Sequence, residues 1–180
     1  QLRAINTLKL IQDTLRNKKE PIKAWQLNER HYGALTGLNK VEMGKKLGEE
    51  KLQKFRRSWD LRPDPLNKKS LFHPSNIGTY NDVPIENIPD TESLKDTYER
   101  VINYYEKEIK DKLDNGNILI SAHGNSIRAL CKYLFKIDEI QITKLEIPTG
   151  NPLLINIDKN QKIISCKYLD QDRAKDLVVF

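Results

Sequence analysis

Cysteine is scarce in this chain. Cys131 and Cys166 are the only 2 in 180 residues, and they have neither CxxC spacing nor neighbouring histidines. A disulfide framework and a thiolate zinc site are therefore excluded. Both read as reduced core residues of a cytoplasmic protein, one in a helix and one in a strand. Long apolar runs are lacking too. No stretch approaches the roughly 18 apolar residues that a membrane span needs, and the start has no signal-peptide pattern. Internal repeats are absent. What remains is ordinary for one domain over residues 1–180, with 38% hydrophobic and 31% charged residues. Lys and Arg number 31 against 25 Asp and Glu, a net charge of +6. The basic residues lie scattered, as in Arg16–Lys19 and Lys68-Lys69, without the aromatic interleaving of a single-strand platform. Small anions fit that pattern better than nucleic acid or a membrane surface.

Periodicity organises the chain. Helical spacing of Leu2, Ile5, Leu8, Ile11 and Leu15 predicts a helix over 1–16. Pro21–Trp25 alternates as a short strand. Asn39 and Glu42 form a capping box that opens a helix ending near Gly48, and Glu49–Arg57 makes a second. Between 58 and 89 periodicity fails and prolines 63, 65, 74, 84 and 89 accumulate, which predicts a long loop. The Thr91–Leu94 segment caps a strong helix with Leu94, Tyr98, Val101, Tyr105, Ile109 and Leu113 on one stripe. Asn115-Gly116 turns into a strand at Ile118–Ala122, and a helix follows over Asn125–Phe135. Pro152–Ile157 and Lys162–Tyr168 read as a hairpin. Helices alternating with strands predict an α/β fold, a three-layer sandwich with a mostly parallel central sheet and helices on both faces.

The segment Ile118-Leu-Ile-Ser-Ala-His123-Gly-Asn-Ser-Ile-Arg128 carries the most chemistry. A strand ending in His123 and turning on Gly124 into a helix sets imidazole beside free helix N–H groups, a place for an anion such as phosphate. Read alone, His123 could equally be a buried residue closing a turn. The stretch Leu27-Asn-Glu29-Arg30-His31-Tyr32-Gly33-Ala-Leu-Thr-Gly37-Leu-Asn39-Lys40 is too rich in charge and turn formers for a helix interior and reads as a loop.

Together with Ile147-Pro-Thr-Gly150-Asn-Pro152, these segments resemble the cofactor-dependent, that is 2,3-bisphosphoglycerate-dependent, phosphoglycerate mutases of the histidine phosphatase superfamily. The likeness runs from Arg3 to about Leu169. The family opens with a strand ending in Arg-His-Gly, whose histidine takes the phosphoryl group. No Arg-His-Gly occurs here, and Gln1 opens the chain inside a helix, so the resemblance implies that the first strand and its nucleophile are missing.

The resemblance further implies ping-pong phosphoryl transfer between 3-phosphoglycerate and 2-phosphoglycerate, with 2,3-bisphosphoglycerate as priming donor and no metal. A substrate carrying about −2.5 to −3 charge needs guanidinium forks. The resemblance assigns these to Arg3, Arg30, Arg56 and Arg57, with Lys40 as a point charge and Tyr32 as a further contact. Glu29 becomes the acid/base residue and His123 the stabiliser of the transferring group, with Gly124 and Asn125 adding donors. Residues 58–89 would cover the active-site mouth. Thr149-Gly150 reads as a structural turn, His31 has no assigned role, and His73 reads as solvated. Relatives of this kind form homodimers or homotetramers. Alternatives on the same scaffold are a bisphosphoglycerate synthase or phosphatase, and a non-catalytic phosphoanion-binding relative.

Overall fold

Why the chain folds as it does is clearest in its helix ends. In the computed structural model, which describes residues 1–174 apart from the side chains of Lys40, Glu42 and Lys46, α1 covers Leu2–Leu15. Arg16 stops it in the left-handed conformation, with φ 52°. Asn39 accepts from the Val41 amide at 2.9 Å to start α2, Lys40–Leu47, and Gly48 separates it from α3, Glu49–Arg57. Glu49 and Glu50 open α3, and Lys54, Arg56 and Arg57 close it, each complementing the local helix charge. Ser93 caps α4, Leu94–Tyr104, in a reciprocal box with Asp96. The predicted stripe continues past α4 through a π turn at Tyr105–Ile109 and a 3₁₀ segment to Asn115. Helix α5, Gly124–Leu134, packs on α4, and the short α6 covers Gln141–Lys144.

Leu94 of α4 and Cys131 of α5 meet Ile137, Ile142 and Leu145 in the buried core, with Trp59 and Leu153 packed against it. Burying each such aliphatic side chain is worth about 1.5–3 kcal/mol. Cys131 is a buried thiol there, and burial pushes it up to about 12.

Strands β1, Leu153–Ile157, and β2, Ile163–Tyr168, form an antiparallel pair, the hairpin that alternation predicts. Among the described residues this is the only sheet, so the expectation of a mostly parallel sheet is not met there. Segment 118–122 has no ladder partner among the described residues, and its Leu119 is exposed. Ser121 instead ties it to α1 by donating to the Ala4 carbonyl at 2.8 Å. Pro21–Trp25 is corrected likewise: it lacks a paired neighbour among the described residues, and Trp25–Leu27 coils into one 3₁₀ turn. Among the described residues no helix is long and apolar enough to cross a membrane.

Segment 58–89 holds only short 3₁₀ turns, and it is pinned at many points. His73 is a correction to the solvated reading. At 1% exposure it caps the turn at Pro74–Asn76 and accepts from the Ser75 amide through Nδ1. That leaves the Nε2 proton to donate to Asp90 at 2.9 Å. The Leu66 amide donates to the Asp90 carbonyl at 2.9 Å, and Thr91 Oγ1 to the Pro63 carbonyl at 2.8 Å.

Candidate active site

The motif loop 28–38 is held from two sides. From α4, Arg100 donates to both Glu92 oxygens at 2.7 and 3.0 Å, to the Asn28 and Glu29 carbonyls at 3.0 and 3.3 Å, and to the Gln26 carbonyl. Glu92, at 4% exposure, accepts in turn from the His31 amide at 2.8 Å. From segment 58–89, the Asp64 carbonyl accepts from the Ala34 amide at 2.7 Å. Gly33 makes that approach possible, because a Cβ there would lie 2.2 Å from the Asp64 oxygen.

So held, the loop presents Glu29 to the start of α5. Asn125 donates to Glu29 Oε1 and to the Tyr32 hydroxyl oxygen, both at 2.8 Å. The Arg30 amide also donates to Oε1 at 2.8 Å. Arg3 donates to His123 Nδ1 at 3.2 Å, so the neutral ring carries its proton on Nε2. That N–H is buried and has no partner among the described residues. Burial, partly opposed by Glu29 and aided by Arg3, lowers His123 from 6.5 to about 4. It is therefore a neutral hydrogen-bond donor at physiological pH.

Arg30 is 2% exposed and lies 4.5 Å over the Tyr32 ring, donating to the Phe55 carbonyl of α3. Its Nε and Nη1 have no partner among the described residues. Burial lowers its pKa from the ordinary arginine value, with Tyr32 and Glu29 opposing. An anion would satisfy those donors. Arg30 also lines a cavity of about 590 Å³, whose polar wall includes Arg3, Glu29, Tyr32, Arg56 and Tyr80.

A family model for the histidine phosphatase superfamily, branch 1, matches residues 1–168. The chain belongs to that superfamily. A 2,3-bisphosphoglycerate-dependent phosphoglycerate mutase of Pelagibacter ubique (strain HTCC1062) is 72% identical, over 100% of this chain and 76% of that protein. A protein of the same name from Hyphomonas neptunium (strain ATCC 15444) is 49% identical, over 98% of this chain and 74% of that one. Among solved structures, mycobacterial glucosyl-3-phosphoglycerate phosphatase has a TM-score of 0.55 at 17% identity, covering 92% of this chain and 71% of that one. That likeness shows the shared fold.

Within this superfamily member, the residues read from sequence fall into three groups. Glu29, Arg30, Tyr32, Arg3, His123, Gly124 and Asn125 come together, and Arg56 joins them at the cavity wall. Arg57 does not: it donates to Glu146 and, at 3.5 Å, to the Leu145 carbonyl. Lys40 stands at the first position of α2, and its side chain lies outside the described residues. Three residues were missed by sequence reasoning: Arg100, Glu92 and Arg128. The signal for Arg128 was a charge inside the apolar run Ile127–Cys131. Among the described residues, no group of three or more His, Cys, Asp or Glu side chains is placed to hold a metal.

Proposed function

We propose that this protein interconverts 3-phosphoglycerate and 2-phosphoglycerate as a 2,3-bisphosphoglycerate-dependent mutase. The observation that carries this reading is 72% identity over 100% of the chain to a protein of that name. The site chemistry supports it. Glu29 takes the proton of the attacking hydroxyl and returns one to the leaving oxygen. With Oε1 already accepting from Asn125 and Arg30, Oε2 is the oxygen that carries it. His123 donates from Nε2 to the transferring phosphoryl group, and the Gly124 and Asn125 amides at the start of α5 add donors. Arg3, Arg30 and Arg56 bind the anionic ends of the substrate, with Tyr32 and Lys40 beside them.

When bound, 2,3-bisphosphoglycerate supplies the priming phosphoryl group. The unpartnered buried donors of Arg30 and His123 fit such an anion. No Arg-His-Gly stands in these 180 residues, so the phosphoryl acceptor is not assigned to any of the 3 histidines. The reading also carries a three-layer sandwich with a mostly parallel central sheet and helices on both faces, with apolar segment 118–122 as one strand. It implies a cytoplasmic homodimer or homotetramer that acts on small phosphoglycerates and binds neither nucleic acid nor membrane.

The test follows 2-phosphoglycerate formation from 3-phosphoglycerate by the protein as its own cell makes it. Turnover stimulated by traces of 2,3-bisphosphoglycerate is expected. Release of inorganic phosphate without 2-phosphoglycerate would replace the mutase with a phosphatase. Binding without any turnover would leave a phosphoanion-binding relative.

A further inference from the structure

Arg128 sits one turn into α5, 4% exposed, and no carboxylate pairs with it directly among the described residues. Its Nη1 donates to Asn125 Oδ1 at 3.0 Å, and its Nη2 donates to the Ile142 carbonyl of α6. Burial lowers it to about 10, with Arg57 and Arg30 pushing the same way and Tyr32 and Glu29 opposing. A buried cation without its own anion is costly, and an apolar side chain of that size would be cheaper. The charge therefore has a use.

We propose that Arg128 is a positioning residue which, through the Asn125 amide, holds Glu29 with Oε1 saturated and Oε2 as its single proton-carrying oxygen. This rests on the acid/base role proposed for Glu29. A guanidinium has only donors, and an ionised carboxylate only acceptors. The amide between them has one satisfied orientation: oxygen toward Arg128, NH₂ toward Glu29 and Tyr32. Flipping it would set donor against donor at Arg128 and acceptor against acceptor at Glu29, losing the 3.0 Å bond and the 2.8 Å bond to Glu29, while the Tyr32 hydroxyl would turn to donate to the amide oxygen. Arg128 thereby keeps a donor permanently on Glu29 Oε1. The Ile142 carbonyl anchors the arrangement from α6.

Other groups also face Glu29. They are Arg30 and Tyr32 from its own loop, His123 at the N-cap of α5 and Tyr80 from segment 58–89, while Arg100 of α4 holds the Glu29 main-chain carbonyl. All of them remain when Arg128 is replaced, so a change on replacement reports Arg128 itself.

Arg128→Gln and Arg128→Lys in the full-length protein test this with two readouts. The first is hydrogen exchange of the Asn125 side-chain NH₂ by NMR, which needs no turnover. The second is the pH profile of kcat and KM. Arg128→Gln is expected to speed the exchange about tenfold, as for the loss of one hydrogen bond to a charged group. It should also lower kcat about tenfold below neutral pH, moving the acid limb upward, with KM within about threefold. Arg128→Lys, which keeps the charge and a donor, should fall between Gln and wild type in both. Unchanged exchange, an unmoved acid limb, or a raised KM with kcat intact would overturn the proposal. Should Arg128→Gln not fold, Arg128→Lys decides alone, and wild-type values in both readouts would overturn it. A wild-type protein without mutase activity would sink the proposed function, while exchange still judges the Asn125 relay.

Discussion

Replacing Gly33 with alanine tests whether the motif loop and segment 58–89 are locked together. Gly33 has φ +54°, and an added Cβ would meet the Asp64 carbonyl oxygen at 2.2 Å and Thr91 Oγ1 at 2.7 Å. Neither atom is the loose end of a long side chain. The first accepts from the Ala34 amide at 2.7 Å, and the second donates to the Pro63 carbonyl at 2.8 Å. The left-handed backbone costs alanine about 1–2 kcal/mol. Forcing the two neighbours apart adds about 1–3 kcal/mol, and the hydrogen bond lost with them about 1 kcal/mol. The sum, about 3–6 kcal/mol, is a large share of the roughly 5–15 kcal/mol that holds a domain folded. Gly150 is the control: its φ is +70° and nothing among the described residues lies within 4 Å of its Cβ position. Gly150→Ala should show the backbone cost alone, about 1–2 kcal/mol. Urea unfolding reads the difference, and with a slope of about 2 kcal/mol per molar the two midpoints should separate by roughly 1–2 M. Equal midpoints would refute the lock.

The site makes three further predictions. Glu29→Gln should lower kcat by about 10²–10⁴-fold with little change in KM; a raised KM with intact kcat would remove Glu29 from proton transfer. His123 should make stability depend on acid. Its folded value near 4 lies below 6.5 because burial disfavours the imidazolium, so the unfolded chain binds the proton first as pH falls. Its contribution is complete above pH 6.5 and is lost between there and about 4. Burial shifts His31 the same way. Urea midpoints should fall across that window and His123→Gln should flatten the fall; a midpoint that rises on acidification contradicts the assignment. Lastly, Arg56→Ala should raise KM about tenfold, as for a lost charge-assisted bond. Arg57→Ala, which removes a pair with exposed Glu146, should change KM by less than about twofold. The opposite order would place Arg57 in the site.

Local chemistry was what the sequence made legible. Helix ends at Asn39, Gly48 and Ser93, the 58–89 break and the hairpin all follow from neighbours a few residues apart, and each stands where expected. Glu29, Tyr32 and Asn125 were legible as a group because two compact segments carry them. Harder to see were partners far apart in the chain. Arg100 reaches carbonyls 71 to 74 residues away, and no periodicity encodes that. Arg56 and Arg57 are adjacent and alike in type, but successive helix positions point about 100° apart, so one lines the cavity and its neighbour pairs with Glu146. Solvation of His73 was misread because loop membership says nothing about which side chains turn inward.

Segment 58–89 lines the cavity with Phe72, Pro74, Ile77, Thr79 and Tyr80, which has a consequence for how a ligand arrives. Ties from His73 to Asp90, Leu66 to Asp90 and Thr91 to Pro63 close the segment into nested loops. Its conformational entropy is thus lost during folding and need not be lost again when an anion enters. A wall built in advance sets the width of the cavity by shape. Association through such a fixed opening is governed by diffusion and charge, and its rate should decline with added salt more than with solvent viscosity alone.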